Sequence, residues 1–165
     1  MADTSLLKEL MNQFPYSGKV KWIGIRPGRR EEMLSIQSVE AKIGSGLVGD
    51  RYNGKSDSKR QVTLIQNEHI ISVANFLRYD EIYPGLLRRN IVVEEINLLS
   101  LKDKEFSIGT CRLEMTGLCH PCSRMEENLC VGGYNAMRGH GGITARVVKE
   151  GIINVGDLLI VNDIK

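Results

Sequence analysis

The 165-residue chain is 42% hydrophobic and 25% charged, enough apolar material for one full core and too little length for a second domain of ordinary size. Its formal net charge of +2 lacks the large basic excess of nucleic-acid-binding chains, and no run approaches the roughly 18 apolar residues of a membrane span. Lys8 and Glu9 interrupt the first apolar run, which removes the order of a secretory signal, so the expected location is cytoplasmic with no nucleic-acid or membrane partner.

Leu6, Leu7, Leu10, Met11 and Phe14 follow helical spacing behind a cap at Thr4 or Ser5, and Pro15 is expected to stop that helix. Residues 19–25 are strand-like, residues 26–30 form a basic turn, and residues 35–43 read as a second strand region. A glycine-rich loop fills 44–54 and continues through polar residues to Lys59. Residues 61–65 read as a buried strand leading to Asn67 as a helix cap. Beyond it Ile70, Val73, Ala74 and Leu77 sit at i, i+3, i+4 and i+7, a packing stripe. Pro84-Gly85 breaks the chain before residues 88–94, a basic start to a β-branched strand. A short connection over 96–104 precedes strands at 105–108 and 111–116. Five glycines fall within 131–142, and the last strands, 143–148 and 158–161, are expected to pair around a turn at Glu150-Gly151.

Seventeen glycines against three Phe, one Trp and five Tyr indicate many turns and a core of Ile, Val and Leu. Many short strands and few helices predict a mainly β fold, a closed or nearly closed β-barrel with a few short helices. A helical extension over 1–17 would precede a barrel domain over 18–165. A doubly wound α/β sheet is disfavoured because helices do not alternate with strands.

The chemistry concentrates at Cys119, His120, Pro121, Cys122, Ser123, Arg124 and Met125, where a strand ends and the backbone turns. Cysteine reacts or binds metal as thiolate, and Arg124 and His120 offer the positive charge and hydrogen-bond donors that favour ionisation. Four cysteines in a cytoplasmic chain, two of them in a C-x-x-C, point to redox or metal chemistry instead of a disulfide framework. Thioredoxin-like exchange wants the pair at a helix start within a βαβ pattern. Structural zinc wants about four ligands, for which only Cys130 and His120 or His140 could join. Cys111 is in phase with Leu113 and Met115 and reads as an inert core residue.

The chain resembles the MOSC domain family, named for the C-terminal domain of molybdenum cofactor sulfurase, and its stand-alone bacterial type in particular. The resemblance rests on the order and spacing of segments 46–51, 61–65, Arg88-Arg89-Asn90 with 91–93, 108–109, 119–122, 139–142 and 155–157, so that only the first 17 or so residues lie outside it. It implies a β-barrel that binds the molybdenum cofactor (molybdopterin), which a standard overexpressed sample need not contain, and it carries the metal-bound, catalytic cysteine onto Cys122. A single thiolate suits molybdenum because it binds as the anion and leaves other positions open. The activity implied is that of an oxidoreductase reducing small N-hydroxylated compounds. Electrons would come from a separate electron-donor protein, since no flavin or iron-sulfur motif is visible. The alternative is a non-catalytic cofactor or sulfur carrier in molybdenum cofactor or metal-sulfur cluster assembly, served by a sulfurtransferase. No pyridoxal-phosphate-dependent desulfurase half accompanies these residues, so the chain is not expected to generate its own sulfur.

Within the resemblance Arg88 and Asn90 match a cofactor-binding segment. A guanidinium can clasp a terminal phosphate bidentately and an amide can both donate to and accept from a pterin edge. Against that stands the common fate of arginines before a strand, which is to solvate a sheet edge. Arg29, Arg51 and Arg60 are further phosphate candidates. Cys119 can be a redox partner, a supporting thiol or filler. Residues 132–142 can present backbone N–H groups to an anion as a nest, with Arg138 and His140 as side-chain donors and Arg124 nearby. Asp50 reads as a turn residue or cap.

Overall fold

The computed structural model describes residues 4–162. A short helix α1 (Thr4–Leu10) is followed by β1 (Gly18–Ile25), β2 (Leu34–Ile36), β3 (Ser38–Lys42), β4 (Gly46–Leu47) and β5 (Val62–Gln66). Helix α2 (Asn67–Leu77) and a 3-10 turn (Pro84–Leu87) lead to β6 (Ile91–Glu94). A second 3-10 turn (Leu98–Leu101) then precedes β7 (Glu105–Ile108) and β8 (Cys111–Leu118). Helices α3 (Ser123–Asn128) and α4 (Gly133–Met137) come before β9 (Ile143–Lys149), β10 (Gly151–Asn154) and β11 (Leu158–Val161).

Seven strands close a barrel in the order β11-β7-β8-β9-β5-β6-β1, the first and last joining through Gly18 against Leu159, and β2 extends the free part of β1. A smaller sheet of β10, β3 and β4 stands beside it. All pairings are antiparallel except β5 with β6, the two strands that α2 connects. That one crossover explains a difference in sequence texture. Leu64, Ile91 and Val93 point into the barrel, while Ile65 and Val92 point out against Ile70, Val73 and Ala74 of α2 and Met125 and Met137 of α3 and α4. Strands buried on both faces lose the alternation that half-buried strands keep. In β1 the pairing with β6 slips between Val20 and Trp22, so that Trp22 packs with the outer cluster although Val20 and Ile23 belong to the inner one.

Several expectations are corrected here. The expected strand over 35–43 is two strands, β2 on β1 and β3 on β10, because the chain leaves one sheet for the other at Gln37. The last strands do not pair with each other. β9 lies between β8 and β5, β11 lies between β7 and β1, and the unpredicted β10 intervenes. Asn67 is the first residue of α2, not its cap; Gln66 holds the cap position, and its side chain accepts a hydrogen bond from the Leu98 N–H at 3.0 Å. Helix α1 stops at Leu10, before Pro15, and buries none of its residues.

Gly142 sits where β9 enters the barrel beside β5, with φ +86° and a Cβ position 2.0 Å from the Leu64 carbonyl oxygen, whereas Gly139 has φ +77° and nothing within 4 Å. Gly139→Ala should therefore cost only the left-handed backbone, about 1–2 kcal/mol or about 3–6 °C in Tm. Gly142→Ala adds a collision with backbone and should cost about 4 kcal/mol or more. Thermal denaturation of the two variants side by side checks the difference; equal shifts would show that β9 is not held this tightly against β5.

Candidate functional site

Strand β8 delivers Cys119 to one mouth of the barrel, where the backbone turns through Pro121 and enters α3 with Cys122 at its cap position. The two thiols have opposite surroundings: Cys119 is buried and Cys122 is exposed. The turn between them is fixed by Arg89, itself only 6% exposed. Its guanidinium donates to the carbonyls of Gly141 at 2.7 Å, Leu87 at 2.9 Å, Cys119 at 3.4 Å and His120 at 3.5 Å. The Cys119 N–H in turn donates to the Gly142 carbonyl at 2.9 Å, so the cysteine turn and the glycine segment beside it are tied together twice. Burial lowers the pKa of Arg89, and the nearby Cys119 and Cys122 oppose that shift.

Around the thiols lies a cavity of about 240 Å³ lined by six arginines, Arg26, Arg51, Arg60, Arg88, Arg89 and Arg124, together with Thr63, Cys119, His120, Cys122 and Met125. Among the described residues only two of these arginines have carboxylate partners, Arg26 on Asp50 at 2.6 Å and Arg124 on Glu127 at 3.7 Å. Among the described residues no carboxylate lines the cavity itself. Arg88 shows the consequence. Burial and then the neighbouring Arg26, Arg124 and Arg51 lower its pKa, with Asp50 opposing, and its side chain turns one N–H to the Glu31 carbonyl. A concave surface with surplus guanidinium charge favours an anion with several oxygens.

Asp50 is the hinge of this wall. Its side chain is 1% exposed, and it accepts from the Arg26 N–H at 2.7 Å, Arg26 Nε at 3.1 Å, Arg26 Nη2 at 2.6 Å and the Tyr52 N–H at 3.2 Å. Burial alone would raise its pKa, but the Arg26 hydrogen bonds and charge, with the Tyr52 N–H, hold it below the ordinary 3.8. Asn90 completes the network. Its Nδ2 donates to Asp50 Oδ1 and to the Gly24 carbonyl, both at 3.2 Å. Its Oδ1 accepts from the Thr63 N–H at 3.2 Å and Thr63 Oγ1 at 3.1 Å.

The residues singled out from sequence divide accordingly. Arg51, Arg60, Arg88, Cys119, Cys122 and Arg124 come together in one cavity; Arg29 does not line it. Asn90 is wholly enclosed, with its amide engaged by protein groups. Arg138 lines a neighbouring cavity of about 500 Å³ with His120, Pro121, Tyr134 and Gly139, so His120 borders both. His140 stacks edge-on against His69 at 4.7 Å and Phe76 at 5.5 Å, facing α2. The expected backbone nest is occupied by the chain's own Glu126, whose carboxylate accepts from the Gly132 N–H at 2.7 Å and the Tyr134 N–H at 2.9 Å. Those bonds lower the Glu126 pKa. The carbonyl clamp made by Arg89 and the pairing of Arg26 with Asp50 are not legible locally, where the only signals are the doubled arginine before Asn90, the basic turn over 26–30 and the acid after a glycine. Among the described residues no three His, Cys, Asp or Glu side chains converge as a metal-ligand group, which removes the support for a structural zinc site and leaves single-thiolate ligation untouched. No helix among them is long and apolar enough to cross a membrane.

The MOSC domain model matches residues 50–159. No curated protein matches the chain. Among solved structures the fold is similar to the YUAD protein from Bacillus subtilis, with TM-score 0.76 and 17% identity over 91% of this chain and 98% of that one. YiiM from Geobacillus stearothermophilus gives 0.71 and 16% over 88% and 75%. YiiM from Escherichia coli gives 0.69 and 14% over 92% and 72%.

Two tests follow from the geometry. Because the folded Asp50 pKa is depressed, its stabilisation is complete above the unfolded value near 4 and is lost as pH falls through the folded value. Asp50→Asn should be about 2–3 kcal/mol less stable at neutral pH, and the gap should narrow below about pH 4; denaturant melts across that range measure it, and a pH-independent gap would contradict the pairing. Thiol accessibility gives the second. Cys122 should react first with a small aromatic disulfide at pH 8, and Cys122→Ser should lose that phase. Cys111, whose pKa burial pushes up to about 12, should react only on unfolding.

Proposed function

The chain belongs to the MOSC domain family, and on that footing we propose that it binds the molybdenum cofactor (molybdopterin) in the arginine-lined cavity and reduces small N-hydroxylated compounds. The observation that carries this reading is the exposed Cys122 thiol at the edge of a cavity holding four arginines that have no carboxylate partner among the described residues. The donor set fits the group: one accessible thiolate for the metal and surplus guanidinium groups for phosphate oxygens.

Cys122 would hold the metal, and Arg51, Arg60 and Arg88 would meet the phosphate charge, with Arg124 beside them. When bound, the molybdenum supplies the two-electron redox chemistry. The chain's own contribution is position and charge. Arg89 fixes the turn that carries Cys122, and Asn90 and Asp50 hold the Arg88 and Arg26 segments together. This makes Asn90 a positioning residue for the cavity wall. His120 stands between the cofactor cavity and the one bordered by Arg138, a route by which a small substrate would reach the metal. A separate electron-donor protein completes turnover.

A carrier function is the second reading, and it is favoured by Cys119 lining the same cavity as Cys122. A pair of thiols suits persulfide handling, with a sulfurtransferase as partner.

Expression in a host that makes the cofactor should give molybdenum and pterin near equimolar with the protein, and Cys122→Ser should lose molybdenum. Arg88→Ala should reduce pterin retention several-fold, as expected for a lost charge-assisted contact. Reduction of hydroxylamine by the loaded protein with an artificial electron donor would establish the reductase. A stable Cys122 persulfide without turnover would establish the carrier. Zinc, or neither metal nor pterin under loading conditions, would overturn the cofactor-binding reductase and leave only the thiol-transfer reading of the cysteine pair.

A further inference from the structure

At the other end of β1, about 23 Å away along seven strand steps, a further cavity of about 520 Å³ lies between residues 12–17 and the barrel. Its polar groups include Lys104, Asn12 and Asn162, with Tyr16 and Ser17 beside them, and Phe14, Pro15 and Val161 supply apolar wall. Lys104 is only 5% exposed. Among the described residues its ammonium has one partner, the neutral Asn12 Oδ1 at 2.5 Å, and no carboxylate lies within ion-pair distance. Asn162 uses its Oδ1 to accept from Ser107 Oγ at 3.0 Å, but its buried Nδ2 has no hydrogen-bond partner among the described residues. An enclosed ammonium with a single neutral partner and an enclosed amide NH2 with none are both costly, and both are donors lining the same cavity. Buried cations are ordinarily paired.

We propose that this cavity binds a small organic carboxylate with an apolar body. One positive charge matches one carboxylate, whose two oxygens can accept from Lys104 and Asn162 together, while the apolar wall takes the remainder of the molecule. A phosphate dianion fits less well, because the cavity offers it one cation where the arginine-lined mouth offers several. The volume falls in the range of sites for small molecules. The site is independent of the cofactor reading, since the two cavities share no residue.

The test uses the full chain, with sodium benzoate as probe, and follows the Asn12 and Asn162 side-chain amides by NMR alongside calorimetry. Benzoate should bind saturably at one site and shift both amides. Benzyl alcohol should bind about tenfold more weakly or worse, as should benzoate to Lys104→Met, reflecting a lost charge-assisted hydrogen bond. Arg88→Ala should leave benzoate binding unchanged. Asn162→Asp guards against a Lys104 variant that fails to fold: it supplies an internal carboxylate, so it should raise Tm in the absence of probe and abolish benzoate binding. Absence of a saturable amide shift up to the solubility limit of benzoate would overturn the proposal. So would binding that is indifferent to both Lys104→Met and Asn162→Asp, or that Arg88→Ala removes. Asn162 amide shifts that respond to Asp163→Asn and not to benzoate would assign the anion to the chain itself and overturn it equally.

Discussion

A guanidinium enclosed by protein must find acceptors for its N–H groups, and Arg89 finds them on three segments that are distant in sequence. It reaches Leu87 in its own turn, Cys119 and His120 after β8, and Gly141 before β9. Left unsatisfied, a buried charge costs several kcal/mol, so the three segments cannot drift apart without exposing or stranding it. This one side chain converts a strand end, a helix start and a glycine segment into a rigid rim. Cys122 is exposed on that rim, and its placement follows from Arg89 as much as from its own helix.

The remaining arginines obey a different rule. Arg26 lines the cavity and is neutralised from behind by Asp50, which Asn90 anchors. Arg51, Arg60 and Arg88 face the same space without carboxylate partners among the described residues. Like charges gathered at a concave site destabilise the free protein slightly and are relieved when an anion enters, the arrangement expected of a binding surface that is formed before its ligand arrives. Nearby, Glu126 takes up the Gly132 and Tyr134 N–H groups at the start of α4, where the first part of the glycine segment would otherwise face an anion.

The barrel separates two kinds of chemistry. The mouth at the end of β1 gathers guanidinium groups and thiols, while the far end encloses one ammonium against an apolar wall. Between them runs a core of Val, Ile, Leu and Phe106 that carries no charge.

Local pattern determined what depends on neighbours in the chain. Alternation gave β7 and β8, the i, i+3, i+4 stripe gave α2, and the spacing of Cys119 and Cys122 after a strand marked the candidate site, since each signal is complete within a dozen residues. The order of short motifs was enough for the family. Only tertiary structure decided which strands close the barrel, because the partners of β9 and β11 are set by long-range register. It alone sorted the arginines into clamp, wall and free charge, and turned Asn90 from a candidate ligand into an internal brace. A side chain's chemical role depends on which acceptors surround it, and those acceptors come from segments as much as 52 residues away for Arg89 and 66 for Asn90. Nothing in the local sequence encodes that proximity; packing of the barrel creates it.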